Sequence, residues 1–236
     1  MQVGPPSSLL TLSCVLVVNS NSFHLIPQIV AASEALCVVG DYPTLTALAE
    51  KPLHYALCFE DKLITYSNLV RALSSSGKND ECINTCVSVL SELGESIPTT
   101  ITQEIYVEEV AKVREALIGR SRQDLLSLPV MTDIKKLTTM RFLNHMLLVT
   151  YASSPPLNPI VVFRMVRLTV AYGVCNIAPI AFSCYGGWLA SSLNEDYDAA
   201  FTIGRVASDL MIKMGCVEIL PRVHAVVYGM INIYKE

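Results

Sequence analysis

The sequence predicts an all-α protein built as an α-solenoid of helical hairpins. Apolar residues recur at helical spacing along nearly the whole chain. No run of alternating β-branched residues indicates a strand, and proline-bearing stretches such as ESIPTT (95–100) and SSPPLNP (153–159) separate the helical patterns. With 236 residues, the chain is long enough for one substantial core or for a linear array of smaller helical units.

Two helices near the middle of the chain can be placed from their side-chain patterns. The first carries an apolar stripe at positions i, i+4, i+7 and i+11, formed by Tyr106, Val110, Val113 and Leu117. On its wetter side Glu108 lies four residues before Lys112, in the order that favours an ion pair. The second helix begins with Thr132 as its expected N-cap and continues to about Thr150.

The next helix is predicted to lie inside the protein. Asn158 is its expected cap, Pro159 takes the first helical position, and Gly173 ends it. The residues between them are apolar nearly all round, apart from Arg164 and Arg167.

Three segments share a helix, a tight bend and a second helix, which indicates an internal repeat. The residues at positions n, n+2 and n+5 of the three bends are Gly40, Tyr42 and Leu45; Gly77, Asn79 and Cys82; and Glu195, Tyr197 and Ala200. Glycine supplies the positive φ of a bend, and a small buried residue lets two helices approach closely. The first two bends are 37 residues apart, close to the repeat of about 34 residues in tetratricopeptide-like hairpins.

The Gly77–Lys78 pair also has the composition of a phosphate-binding loop. Such a loop of the Walker type requires G-x-x-x-x-G-K-[ST] after a β-strand. Here Ala72 stands at the first glycine and Asn79 follows the lysine, and no strand is predicted upstream. Gly77–Lys78 is therefore interpreted as a hairpin bend.

Composition excludes some classes of partner. Hydrophobic residues make up 52% of the chain and charged residues 16%, with a mean hydropathy of +0.44, which favours a membrane protein or a helical segment that packs against more protein. A net charge of −4 provides no basic field for nucleic acid. The uncharged run Leu9–Val18 is shorter than the roughly 20 residues of a spanning helix. Glycines and a proline break Leu168–Asn194, so no membrane span is predicted.

Cysteine usage indicates a reducing compartment. The chain has eight cysteines and no C-x-x-C pair, and most of them lie in apolar runs. This pattern is typical of buried free thiols rather than of a disulfide framework, so we expect a cytoplasmic location.

Four blocks along the chain carry a resemblance to a known family. They are DLLSLPVMTDIKKLTTMRFL (124–143), FRMVRLTVAYG (163–173), AFSCYGGWLASSLNEDYDAAFTIGRVA (181–207) and RVHAVVYGMINIYKE (222–236). In this order they make residues 22–236 resemble the tetratricopeptide-like helical region that follows the AAA-type ATPase module in multi-sensor serine/threonine–histidine kinase-like signalling proteins. The unmatched apolar stretch 1–21 has no counterpart there, and Glu195 replaces the usual glycine of one bend.

The resemblance implies a non-catalytic protein-interaction and coupling segment, a fragment of a larger signalling ATPase or kinase. Its partners would be other proteins or neighbouring domains of the same protein. The catalytic domains of that family would lie outside this chain, so no catalytic, cofactor-binding or metal-binding residue is carried over. One alternative is a free-standing tetratricopeptide-like adaptor that binds a peptide.

A second alternative is a zinc- or thiol-dependent enzyme. The four candidate zinc ligands, paired at i, i+4 spacing, are His54, Cys58, Cys82 and Cys86. The simpler interpretation is that these thiols fill the core, because this spacing is weak evidence for zinc. No kinase, metalloprotease or dinucleotide-binding motif is present.

Other conspicuous side chains are expected to be structural. His145 and His224 are expected to pack within their helices. Three arginines could pair with acids on a neighbouring helix, line a groove or face solvent, namely Arg141, Arg164 and Arg167. Trp188 and the run Tyr185-Gly186-Gly187 predict a close helix crossing.

Overall fold

The computed structural model describes residues 31–33, 35–36, 38–55, 59–191 and 196–234. The chain divides into two compact units, one up to Cys82 and one from Ile83 onward. Throughout the described residues the regular structure is helical, apart from an isolated bridge between Val130 and Val174. The predicted all-α class is thereby confirmed. None of the helices among these residues is both long enough and apolar enough to cross a membrane.

Ten α-helices with assigned bounds are numbered in chain order. They are α1 (Tyr42–Tyr55), α2 (Phe59–Ser75), α3 (Asn79–Glu92), α4 (Gln103–Leu117), α5 (Arg122–Leu126), α6 (Ile134–Ser153), α7 (Asn158–Tyr172), α8 (Ala178–Leu189), α9 (Tyr197–Met214) and α10 (Leu220–Val226). A 3₁₀ turn (Val217–Ile219) precedes α10, and a π-helical turn (Val227–Ile231) and a second 3₁₀ turn (Asn232–Tyr234) follow it.

In the first unit, α1 and α2 pack against each other. Leu45 and Ala49 of α1 are buried, as are Val70 and Leu73 of α2. Their spacing of three or four residues places each pair on one face, so the apolar periodicity of the sequence decides which faces meet.

The core of the second unit is centred on α7, which packs against α4, α6 and α8. The fully buried side chains of α7 include Ile160, Val161, Phe163, Met165 and Val166. The predicted inner helix is therefore confirmed. The packing of α8 against α9 and α10 extends this core, and α5 packs against α9. Helix α4 packs against α7 although α5 and α6 lie between them in the sequence. In a simple stack of hairpins, each helix packs mainly against its neighbours in the sequence.

Gly173 ends α7 as predicted, and its conformation links two distant segments. Its φ of 104° is one that side-chain-bearing residues rarely adopt, and a Cβ here would lie 2.3 Å from the carbonyl oxygen of Pro129. The N–H of Val174 donates to that same oxygen at 2.7 Å, and the N–H of Met131 donates to Val174 O at 2.8 Å. The connection from α7 to α8 is thus bonded to the segment before α6.

Two predicted helix caps are wrong. The cap of α6 is Asp133, not Thr132, because the Asp133 carboxylate accepts the N–H of Lys136 at 3.0 Å. The cap of α7 is Leu157, which has no side-chain acceptor. Asn158 lies inside the helix and donates its amide to Leu147 O and Thr150 Oγ1, both at 3.1 Å, so it ties α7 to α6 instead.

Candidate functional site

A buried glutamate on α4 gathers three cationic side chains in the second unit. The side chain of Glu109 is 4% exposed. Its carboxylate accepts from Arg164 Nη2 at 2.9 Å, from Arg167 Nη1 at 3.1 Å and from Lys112 Nζ at 3.1 Å. Arg164 and Arg167 therefore pair with an acid on a neighbouring helix and also line a groove, two of the outcomes that the sequence left open.

A second glutamate extends this group into an ion-pair cluster, defined by Glu95, Glu109, Lys112, Lys136, Arg164 and Arg167. Glu95, which follows α3, accepts from Lys136 Nζ at 3.3 Å and from Arg164 Nη1 at 3.4 Å. Arg164 thus bridges the two glutamates and joins the segment after α3 to α4 and α7. Ion pairs so far removed from water are sensitive to the loss of one partner, which leaves a buried charge unbalanced.

The two glutamates of the cluster were missed by sequence analysis. Glu109 lies three residues after Tyr106 and four before Val113, which places it on the apolar face of α4. A glutamate on a buried helix face requires a cationic partner, so this position contained a usable signal. Glu95 lies in a connecting segment whose spatial neighbours no sequence pattern reveals.

An aromatic cluster surrounds Trp188 of α8. Its indole Nε1–H donates to the hydroxyl of Tyr106 at 2.9 Å, and its ring centre is 4.8 Å from that of Phe163. Tyr185 stacks on it with an interplanar angle of 16°. Burial raises the pKa of Tyr185 to about 12. Trp188 therefore connects α8 to α4 and α7, with one polar group that is satisfied by a specific partner.

The predicted close crossing of two helices is confirmed at Gly186. A Cβ there would lie 2.7 Å from Ile231 Cδ1, 3.1 Å from Ala200 O and 3.5 Å from Gly204 N. The glycine at Gly186 lets the backbones of α8 and α9 approach each other at Ala200 and Gly204, while the glycine at Gly204 leaves room for the side chain of Ile231.

An apolar cavity of about 580 Å³ lies beside this crossing, within the second unit. It is lined by side chains of α6, α7, α8 and α10 together with Met230. Its charged lining residue is Arg222, and Trp188 forms part of its wall. The sequence analysis did not predict this cavity, because its lining residues are apolar positions that the helical pattern assigns equally well to a filled core.

The C-terminal part of the second unit exposes many large apolar side chains. These C-terminal apolar residues are Ile212, Val217, Leu220, Tyr228, Met230, Ile233 and Tyr234. Ile212 is 75% exposed and Val217 is 73% exposed, whereas Val223 and Val227 are buried. The segment from Val217 to Tyr234 thus buries Val223 and Val227 on its packed side while it exposes large apolar side chains such as Val217 and Ile233.

The proposed repeat positions lie at the bends from which they were inferred. Gly40 and Gly77 have φ values of 80° and 71°, as bends at these positions require. Leu45, Cys82 and Ala200 are fully buried just inside the helices that follow. Tyr42 is half-buried, and Tyr197 is 37% exposed and stacks on Tyr234. Glu195 lies outside the described residues.

Two of the four candidate zinc ligands have described side chains. Cys58 and the side chain of His54 lie outside the described residues, while Cys82 and Cys86 are buried. Within the described ranges, no group of three His, Cys, Asp or Glu residues is arranged to hold a metal ion. The zinc site stays a prediction.

Three other cysteines have thiols whose pKa is raised by burial. Burial raises the pKa values of Cys175, Cys184 and Cys216 above the usual range. A nucleophilic cysteine requires the opposite shift, because the thiolate is the reactive form. These three side chains are therefore set up as apolar packing groups.

The two histidines singled out in the sequence contact aromatic rings, and the third arginine lines a small groove. His145 contacts the ring of Phe142 in an edge arrangement, and His224 contacts Tyr228 in the same way. Arg141 is exposed and lines a small groove with Val130.

No protein-family model matches this chain, and comparison with curated proteins and with solved structures finds no significant match. The resemblance to the helical region of multi-sensor signalling proteins therefore stays a prediction that depends on the four sequence blocks.

Proposed function

We propose that this chain is a non-catalytic protein-interaction and coupling segment of a multidomain signalling ATPase or kinase, built from tetratricopeptide-like hairpins. The observation that carries the proposal is the set of C-terminal apolar residues, which is exposed although the same segment is packed on its other face. Large exposed apolar areas with this arrangement are typical of surfaces that another protein element covers.

The partner that fits this surface is a further helical element with an apolar face. Val217, Ile233 and Tyr234 are 73%, 61% and 50% exposed and follow one another along a purely helical segment. In a hairpin array each repeat covers the apolar face of the preceding one, so a following hairpin would bury these side chains. That hairpin can belong to the same longer polypeptide or to a second protein.

Coupling through the segment is supported by the ion-pair cluster. Arg164 contacts both Glu95 and Glu109, so a displacement of α4 changes the contacts of α7 directly. Because α7 packs against α8, and α8 against α10, a continuous series of packed helices leads from the cluster to the C-terminal surface.

Site-specific photo-crosslinking tests the proposed surface. A photoreactive amino acid at Val217 or Ile233 should capture one defined protein, or one neighbouring domain, in cells of the source organism. The matched control is Arg114, an exposed position on α4. The captured protein is then purified, and its affinity should fall when Val217 and Ile233 are changed to serine. Equal capture from Arg114, or unchanged affinity of the serine variant, would contradict the proposal.

The domain setting is tested separately by sequencing the transcript through both ends of this reading frame. A frame that continues into an ATPase module upstream and sensor domains downstream supports the relay function in the cytoplasm. Without such domains, the free-standing adaptor becomes the better explanation, and the captured partner should then bind through a short peptide. Stoichiometric zinc in the purified chain would instead favour the metal-dependent alternative.

A further inference from the structure

The apolar cavity of the second unit is lined by a positively charged side chain, Arg222. Arg222 of α10 is its charged lining residue and is half-buried. Among the described residues, the Arg222 guanidinium has no carboxylate partner and no hydrogen-bond acceptor. Burial disfavours its charged form and lowers its pKa. A cation that is partly removed from water in this way is stabilised by an anion that reaches it.

We infer that this cavity binds a long-chain monocarboxylate, with the carboxylate on Arg222 and the alkyl chain between α6, α7 and α8. A volume of about 580 Å³ lies within the range of small-molecule binding sites. The guanidinium presents paired donors that match the two oxygens of a carboxylate. One cation balances one negative charge, whereas a phosphate group with two charges would require a second cation.

The lining favours an alkyl chain over a peptide. Apart from Arg222 and the Tyr151 hydroxyl, its main polar side chains already have partners: Asn158 donates to Leu147 O and Thr150 Oγ1, and Ser191 donates to Trp188 O. A bound peptide brings one N–H and one carbonyl per residue that must find partners. An alkyl chain brings none, and its transfer from water is favourable in proportion to the area buried.

Three large side chains that line the cavity are also exposed to solvent. Tyr151, Leu148 and Met230 line the cavity and are 71%, 51% and 42% exposed. Because these lining side chains are exposed, the binding of an alkyl chain removes ligand and protein apolar surface from water together. The cavity and the C-terminal apolar residues share Met230, but Val217 and Ile233, which the crosslinking experiment uses, do not line the cavity, so the two proposals can fail separately.

The chain provides its own reporter for this site, because Trp188 is the single tryptophan and lines the cavity. Dodecanoate is titrated into the full chain below its micelle concentration while tryptophan fluorescence is followed. Dodecanol and dodecyltrimethylammonium, which have the same alkyl chain and a neutral or cationic head, serve as matched ligands. We expect saturable binding at one site per chain, with dodecanoate binding at least about tenfold more tightly than either of the others.

Two variants test the role of the guanidinium. Arg222→Met keeps an apolar stem of similar length and should weaken dodecanoate binding at least about tenfold while leaving dodecanol binding unchanged. Arg71→Met, at an exposed position of α2 in the first unit, should change neither. Thermal melting establishes that each variant is folded. Should Arg222→Met fail to fold, the comparison of the three head groups on the unchanged chain decides the question.

Three results would overturn the inference. The first is an absence of saturable fluorescence change below the micelle concentration. The second is equal affinity for the three head groups, which would show that Arg222 selects no charge. The third is tight binding of an apolar peptide that dodecanoate does not displace, which would assign the cavity to a protein ligand.

Discussion

Arg164 on α7 donates to Glu109 on α4 at 2.9 Å, and the Glu109 side chain is almost completely removed from solvent, with 4% exposed. The same arginine reaches Glu95 at 3.4 Å. One guanidinium therefore satisfies two acids that lie 14 residues apart in the sequence and on different structural segments. Arg164 and Arg167 are the two charged residues of α7, and both pair with Glu109.

Removing the charge of Glu109 is expected to destabilise the second unit. In Glu109→Gln, Arg164, Arg167 and Lys112 lose a shared counter-charge in a buried position. The loss of one partner from a buried ion pair typically costs about 3 kcal/mol or more. Urea denaturation followed by circular dichroism should show an equivalent decrease in the free energy of unfolding.

The neighbouring residue provides the control for this experiment. Among the described residues Glu108 pairs with Lys112, and its side chain is 63% exposed. Exposed helix pairs contribute little in water, so Glu108→Gln should leave the unfolding curve nearly unchanged. Similar destabilisation by the two variants would mean that helix propensity or net charge, and not the cluster, determines the effect.

Breaking the hydrogen bond between Trp188 and Tyr106 is expected to have a smaller effect. Tyr106→Phe keeps the ring but leaves the Trp188 indole N–H without the acceptor at 2.9 Å, so the free energy of unfolding should fall by about 1 kcal/mol. The control is Tyr151→Phe, whose ring is 71% exposed and whose hydroxyl bonds to none of the described residues. Equal stability of the Tyr106 variant and the unchanged chain would show that water replaces the lost acceptor.

The sequence predicted those features of the fold that depend on local pattern. The inner helix α7 was predicted from its apolar circumference and from Pro159 and Gly173, which act on the backbone at their own positions. The caps were less predictable, because Thr132 and Asp133 can both accept a backbone N–H. The direction of the preceding segment decides which side chain accepts that N–H. Here the segment is fixed by the hydrogen bond from the Met131 N–H to Val174 O.

The sites were less predictable than the helices, for a different physical reason. Gly186 was predicted at a close crossing, since adjacent glycines inside an apolar helix have few other uses. The cavity and the position of Arg222 in its lining arise from the relative placement of four helices. Local periodicity shows that a side chain faces inward, but it does not show whether the opposing helices fill the space in front of it.

The crossing at Gly186 should tolerate no added methyl group. In Gly186→Ala the new Cβ would lie 2.7 Å from Ile231 Cδ1 and 3.1 Å from Ala200 O, and the latter is backbone that cannot move independently. Overpacking of this kind costs about 1–3 kcal/mol. The matched control is Gly229→Ala, whose Cβ would meet nothing within 4 Å. A melting temperature that falls for the first variant and holds for the second is the expected result, and equal changes would place the strain elsewhere.

The stability of the second unit should depend on pH in the alkaline range through Tyr185. Burial raises the pKa of its phenol from 10.0 to about 12, so the folded state holds the proton more tightly than the unfolded state does. The resulting stability is complete below pH 10 and decreases as the pH rises from about 10 towards 12. Guanidinium-induced unfolding is measured at several pH values between 8 and about 11.5, a range that includes the ordinary phenol pKa of 10.0 and approaches the raised value of about 12.

Tyr185→Phe is the variant that isolates the phenol in that experiment. It keeps the ring that stacks on Trp188 with centres 5.5 Å apart but has no proton to lose. The difference in unfolding free energy between the two proteins should therefore be constant below pH 10 and should shift in favour of the variant above it. A difference that stays constant across the whole range would mean that the Tyr185 phenol ionises in the folded state as readily as in the unfolded chain, and hence that the aromatic cluster admits water.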